Sequence, residues 1–535
     1  MTESGPTNIP SLLTILVLGA LMAAAPTLAE DQFFEHYEID TGIATHQTVI
    51  PGFYLGGDTA EIAVLHIGPN DNRRLRVYGL DGRGWVSMLE STLSSGVLFV
   101  DVANIGGSDR LIVYENSHLS WYDPESATQR LLVEVATHYN ATDDSRIPRL
   151  DITRDVNLDG LDDLLVPDID GFWISIQMSD GSFTDAVKLG PPEPYLDEAG
   201  LDDSGLNDSL SYREVAITAF TLPLYMNRVH EMDHNQDGRN DLAFWNEDHF
   251  DVYYQNERGL FDPVARTVTT DVPFDSDGAY SRMFDFSEEG ALSLLFGFNQ
   301  NSKRTVLHSL RDINGDGVAD LVTLTLAGRS PLRQRSLYQV HFGTPTPDGI
   351  QFARNAGTAI SPRGKAGAGQ PWGYASRWFE DLDGDGQVDI ALREVTIGLG
   401  GMIRALAANS IGIDLEFYRM NGGIYPDAPN HTLKIRTDMD VFGKRNPYLP
   451  AVMLGDVNGD GRADLLTGRR EELHVSLGVP GPELFARRPH KVMVAMPGDG
   501  EYAWLADLNK DVKQDILIHH RSSTEPHRVT TLIAR

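Results

Sequence analysis

Residues 455–468 read GDVNGDGRADLLTG. Asp456, Asn458 and Asp460 occupy alternate positions, Gly461 follows, and Asp464 ends the unit just before an apolar run. Asp and Asn on alternate positions of a tight loop can turn their oxygens toward one point. A glycine after the third of them accepts a positive φ that a side chain would resist.

The device recurs. The pattern D-x-[DN]-x-D-G-x-x-D, then apolar residues, appears as DVNLDGLDD (155–163), DHNQDGRND (233–241), DINGDGVAD (312–320), DLDGDGQVD (381–389) and DVNGDGRAD (456–464). A sixth copy, DLNKDVKQD (507–515), has Val512 in place of the glycine. Two earlier stretches read as eroded copies: DVANIGGSD (101–109), with Ala103 and Ile105 at ligand positions, and GGDTAEIAVLH (56–66), which keeps the acid-then-apolar step at Glu61-Ile62. Irregular spacing between copies is what a propeller or solenoid array with loop insertions produces.

Each copy supplies hard oxygen donors in the order used by the first half of a calcium loop. An EF-hand would also need an acid at position twelve, but Val166, Phe244, Thr323, Leu392 and Thr467 stand there. The fourth donor is instead the ninth residue. The expected calcium ligands are therefore Asp155, Asn157, Asp159 and Asp163; Asp233, Asn235, Asp237 and Asp241; Asp312, Asn314, Asp316 and Asp320. They continue with Asp381, Asp383, Asp385 and Asp389; Asp456, Asn458, Asp460 and Asp464; and, in the sixth copy, Asp507, Asn509, Asp511 and Asp515. The ligand positions of the five intact loops hold sixteen carboxylates, which repel one another unless cations intervene. About five ions are expected, six if the Val512 copy binds, with dissociation constants of roughly 10⁻⁴–10⁻³ M, as in extracellular modules. The competing reading is a metal-free Asx turn.

The flanks define the scaffold. LLVPD, LAFWN, LVTLT, IALRE and LLTGR follow the ninth residues, and runs such as AVMLG precede the loops. These are strand formers, so each loop joins two strands of a hairpin. Further on, ISIQMSDGSF (174–183), VYYQNERGLF (252–261), VHFGTPTPDGIQF (340–352) and VSLGVPGPELF (475–485) carry a second strand-and-turn signature. About four strands per unit make a propeller blade.

This combination resembles the FG-GAP and VCBS-type repeats of integrin-alpha-like β-propellers, over most of residues 50–520. The resemblance implies an all-β propeller with calcium in the first hairpin of several blades, and calcium in a structural role. Eight hairpin starts predict eight blades, or seven if the first and last hairpins share a sheet. FFEHYEID (33–40) and RVTTLIAR (528–535) are the candidate partners for closing the ring.

Composition bounds the rest. Acidic residues outnumber basic ones to give a formal net charge of −33, which disfavours nucleic acid and anionic lipid as partners. The absence of cysteine excludes disulfides, thiolate metal sites and a Cys nucleophile. Leu12 to Ala25 is a short apolar run ending near Pro26-Thr27-Leu28-Ala29. It reads as a signal peptide over 1–29, leaving a single propeller domain over 30–535, periplasmic or extracellular and monomeric, with no membrane span. An uncleaved anchor is the alternative.

Other motifs are weaker. His230-Glu231-Met232-Asp233-His234 matches the H-E-x-x-H zinc signature, but that chemistry needs both His on one helix face, and the segment runs into a turn. His519-His520 mark a strand end. Trp372, Tyr374 and Trp378 read as strand core, with sugar stacking as the competing reading. Residues 190–211 read as an exposed loop, 355–371 as a Gly-, Ala- and Pro-rich insertion with Arg363 and Lys365, and 399–413 as an insertion that contains a short helix. No coherent catalytic set emerges. The functional expectation is an interaction module for a protein or glycan, with a propeller-based polysaccharide lyase or other hydrolase as the alternative.

Overall fold

The computed structural model describes residues 33–43, 46–139, 145–190, 217, 225–275, 302–328, 335–362, 379–395, 410–438, 448–521 and 525–535. The signal segment, residues 191–211 and 363–371, Trp372, Tyr374, Trp378 and the 399–409 part of the insertion expected to contain a helix lie outside them. Residues 410–413 are not helical. They begin the strand Ser410–Tyr418, paired to residues 435–438.

Eight four-stranded antiparallel sheets follow one another along the chain. Blade 1 comprises Gln47–Gly52, Glu61–Ile67, Arg73–Leu80 and Trp85–Leu93. Blade 2 comprises Phe99–Ile105, Ser108–Glu115, His118–Asp123 and Thr128–Glu134. Blade 3 comprises Thr153–Arg154, Asp163–Asp168, Gly171–Ser175 and Val187–Leu189. Blade 4 comprises His230–Met232, Asp241–Asn246, His249–Tyr253 and Arg266–Val268. Blade 5 comprises Ser302–Arg311, Asp320–Gly328, Arg335–His341 and Thr358–Ile360, with an extra hairpin over 343–352. Blade 6 comprises Phe379–Glu380, Asp389–Val395, Ser410–Tyr418 and His431–Asp438. Blade 7 comprises Val452–Gly455, Asp464–Arg469, Glu472–Ser476 and His490–Met493.

Blade 8 takes Ala503–Ala506, Asp515–His519 and Arg528–Ala534 from the C-terminus and its outer strand, Phe34–Asp40, from the N-terminus. The two chain ends pair from Phe34 opposite Ala534 to Asp40 opposite Arg528. This settles the blade number at eight and identifies the closing strands as the two expected ones. His519 and His520 sit at the end of this blade's second strand, where burial pushes both imidazoles down to about 4.

The core lies between blades. Side chains of each sheet pack on the next sheet all the way round: blades 1 and 2, then 2 to 4, 4 and 5, 5 and 6, 6 and 7, 7 and 8, and 8 and 1. A second strand is therefore covered on both faces. Asp163–Asp168 is buried at every position, which is why these strands read as apolar runs rather than as alternation. The first strands of blades 2 and 3, of blades 4 and 5 and of blades 7 and 8 touch one another, as strands next to a propeller's central channel do.

Antiparallel order sorts the connections onto two faces. Links from first to second strand and from third to fourth strand emerge on one face; links from second to third strand and between blades emerge on the other. The six acidic loops and the second hairpin signatures all fall on the first face. Those second signatures are small hairpins between third and fourth strands, closed by Gln177 with Phe183, Gln255 with Phe261 and Gly478 with Phe485.

Candidate metal centre

Each acidic loop is built around its first aspartate. In 456–464, Asp456 Oδ1 accepts the N–H groups of Gly459 (2.6 Å) and Asp460 (3.2 Å), and Oδ2 accepts that of Gly461 (2.7 Å). Asn458 Oδ1 accepts the N–H of Asp460 at 2.9 Å, and Asp460 Oδ1 that of Arg462 at 3.0 Å. The other loops repeat the scheme. Asp155, Asp233, Asp312 and Asp381 each accept the N–H of the sixth residue at 2.7–2.9 Å, and Asp507 accepts that of Val512 at 3.3 Å.

Folding these bonds inward puts positions four and six at positive φ. Position six was legible from its glycines; position four was not. There stand Leu158 (φ 59°), Gln236 (φ 60°) and Lys510 (φ 58°) beside three glycines. The sixth copy keeps the turn with Val512 at φ 74°, a conformation that β-branched residues resist. Val512 is 81% exposed, so packing does not repay the strain. Val512→Gly is expected to stabilise the chain by about 1 kcal/mol, read as a higher melting temperature in EDTA.

The ninth aspartate does something the sequence did not disclose. Asp163, Asp241, Asp320, Asp389, Asp464 and Asp515 are all 0% exposed. In blade 7, Asp464 Oδ2 accepts the N–H of Val457 (3.0 Å) and Oδ1 that of Gly478 (2.7 Å). The same two bonds recur: Asp163 to Val156 and Gln177, Asp241 to His234 and Gln255, Asp320 to Ile313 and Gly343. Asp389 binds Leu382 and Met420, and Asp515 binds Leu508 and Ala534. Each carboxylate thus ties its loop to the end of the third strand. Burial pushes Asp163 and Asp389 up to about 7, and Asp241, Asp320, Asp464 and Asp515 up to about 6.

The eroded copies fare differently. Glu61 keeps the loop half of the ninth-residue role in blade 1, its Oε2 accepting the Leu55 N–H at 3.1 Å. In blade 2 there is no acidic loop: Gly106 and Gly107 (φ 61° and 84°) make a two-residue turn between the strands. Asp101 lies inside a strand, bound to Arg149 at 3.0 Å.

The residues fit a divalent cation best at 381–389. Carboxylate oxygens of Asp381, Asp383 and Asp385 lie within 4.8 Å of one another; Asp389 stands outside that trio. The Asp383 side chain is 5% exposed, and its buried Oδ1 has no hydrogen-bond partner among the described residues. A buried carboxylate oxygen without a partner is costly and suits a metal ligand. Arg419, from the end of the third strand, binds Asp383 and reaches Asp385 at 3.0 Å. It compensates the one loop with Asp rather than Asn at position three. In the loops with Asn, its amide reaches the fifth-position carboxylate instead, as Asn314 does to Asp316 at 2.9 Å.

The H-E-x-x-H match is a strand and turn, not a helix. His230 pairs opposite Ala243 in the sheet, and His234, beyond the strand, shares a hydrogen bond with Tyr254 Oη at 3.0 Å. The two imidazoles do not share a helix face, so the motif lacks the geometry of a zinc hydrolase.

No family model and no curated protein matches the chain. Solved structures that it resembles include an Agrocybe aegerita lectin described as recognising non-reducing terminal N-acetylglucosamine, at 14% identity over 93% of this chain and 98% of that one, TM-score 0.36. A V. cholerae biofilm matrix protein matches at 10% identity over 92% and 88%, TM-score 0.34. The Pseudomonas aeruginosa periplasmic gluconolactonase matches at 12% identity over 84% and 96%, TM-score 0.25. Likenesses this distant carry no argument about ligand or activity; the propeller rests on the strand pairing itself. Among the described residues, no helix is long and apolar enough to cross a membrane.

Proposed function

We propose that this protein is an exported, calcium-stabilised propeller that binds a protein or glycan partner through loops on the face opposite its acidic loops. The observation that carries this is the sorting of connections. The acidic loops share one face. The four longest links, over 135–152, 190–229, 269–301 and 361–378, all run between blades and so begin and end at strand ends on the other face. Connections beyond about 12–15 residues are uncommon unless they serve a function or remain unstructured, and loops on a rigid scaffold are the usual place for recognition.

In this reading, calcium neutralises the carboxylates at positions one, three and five. The ninth aspartate, which keeps lone pairs beyond its two N–H bonds, completes the donor set. The ion supplies charge compensation and a fixed turn, and the chain's own residues do the rest: they hold each hairpin and keep the far ends of the strands in place. Calcium is structural here, since each set of donors comes from one hairpin.

A glycan array and a pull-down with purified chain test the binding role. A retained partner that is recovered intact supports it. Shortened oligosaccharide products would replace it with the lyase or hydrolase reading.

A further inference from the structure

Neighbouring acidic loops are joined by backbone. The Val388 N–H of the blade 6 loop donates to Ile313 O of the blade 5 loop at 2.8 Å, and the Ala463 N–H of blade 7 to Leu382 O of blade 6 at 2.9 Å. The Gln514 N–H of blade 8 donates to Asp456 O of blade 7 at 2.7 Å, and the Ala60 N–H of blade 1 to Leu508 O of blade 8 at 2.7 Å. Each bond runs from the residue before a ninth-position acid to the first or second residue of the preceding loop. The loop apices also touch. A Cβ at Gly315 would lie 2.3 Å from Gly386 O, and one at Gly384 2.9 Å from Gly461 O. This contact explains two of the three fourth-position glycines, Gly315 and Gly384, which local turn chemistry leaves optional, since Leu158, Gln236 and Lys510 occupy the same position elsewhere. At the ring seam Lys510 donates to Gly57 O at 2.8 Å and lies 4.3 Å from the centre of the Phe53 ring.

The loops of blades 3 and 4 are linked differently. Gln255 Nε2 donates to Asn157 O at 2.9 Å, a side-chain contact rather than a backbone one. Between blades 4 and 5, His234 packs against Gly349 of the extra hairpin.

We infer that the loops of blades 5 to 8 form one coupled array, in which a cation in one loop raises the affinity of the next, while the loops of blades 3 and 4 bind on their own. The inference rests on the calcium reading of these loops. Its physical basis is that an ion fixes the first residues of its loop, which are the acceptors that fix the end of the following loop. Two sites that order the same element bind cooperatively. One shared hydrogen bond per junction makes the expected coupling about fivefold in affinity.

The experiment is a calcium titration of the full chain by calorimetry, with three proteins compared: the wild type, a blade 6 double variant (Asp381→Ala, Asp385→Ala) and a blade 3 double variant (Asp155→Ala, Asp159→Ala). The blade 6 variant should lose one ion and bind the ions of blades 5 and 7 about fivefold more weakly. The blade 3 variant should lose one ion and leave the blade 5 to 8 affinities unchanged. Loss of one ion from the blade 6 variant with all remaining affinities intact would overturn the coupling and leave the calcium sites standing. No calcium uptake by the wild type would overturn the sites themselves. A second pair guards against misfolding, because it keeps every ligand: Gly384→Ala touches the blade 7 loop, whereas Gly386→Ala, at a similar positive φ, meets nothing within 4 Å. Only the first should weaken the blade 7 site, and equal effects on that site would count against coupling.

Discussion

Replacing Asp464 by alanine is expected to cost about 3–5 kcal/mol even with all calcium removed. The substitution strands two backbone N–H groups, those of Val457 and Gly478, at a site that is 0% exposed. An unsatisfied buried donor costs about 1–3 kcal/mol, and the vacated volume adds to this. Asp460→Ala makes the informative contrast. Asp460 is 38% exposed and accepts one backbone N–H, that of Arg462, so its loss in EDTA should cost about 1 kcal/mol. With calcium present the Asp460 variant should fall further behind the wild type, because it loses a proposed ligand. Denaturant midpoints of both variants with and without EDTA check this. An Asp464 variant as stable in EDTA as the wild type would refute the tie between loop and third strand.

The second large effect concerns the seam. A chain beginning at residue 43 lacks the outer strand of blade 8. That removes the pairing from Phe34–Ala534 to Asp40–Arg528 and exposes the surface covered by Phe34 and Ile39, which are 1% and 2% exposed. Losing even one such Phe typically costs about 3–5 kcal/mol, and here a whole ladder and an unprotected edge follow. The truncated chain should lose its cooperative thermal transition or melt far below the full chain. A peptide of residues 31–42 added in trans should restore a transition by re-forming the fourth strand. Unchanged melting of the truncated chain would mean that the ring does not close this way.

The propeller was legible because its unit repeats. GDVNGDGRAD and its relatives mark the first hairpin of six blades, and the apolar runs after Asp163, Asp241 or Asp464 mark strands packed on both faces. The closing strands were legible as leftover strand formers at the two chain ends. What stayed hidden depends on long-range contacts. Nothing in the order D-x-N-x-D-G-x-x-D says that the last acid binds an N–H fourteen residues later, as Asp464 binds Gly478. Spacing made it a fourth ligand, and only the third strand's position shows its second task. Gly315 and Gly384 at the fourth position were likewise opaque, since their reason is the carbonyl of another blade. Arg419 had a faint signal: the loop with one extra Asp invites a compensating cation, but sequence distance conceals which one. The 101–109 copy is eroded, as its sequence reads: Gly106-Gly107 makes a two-residue turn, and Asp101 keeps its acid inside a strand as the ion-pair partner of Arg149.

Cations in the acidic loops are proposed to hold the blades. A thermal melt of residues 30–535 in EDTA, in millimolar calcium and in millimolar magnesium tests this most directly. A rise in melting temperature that is large, specific to calcium and half-complete at roughly 10⁻⁴–10⁻³ M is the predicted result. Superimposable melts in EDTA and calcium would contradict it and leave the loops as acidic turns held by their own hydrogen bonds.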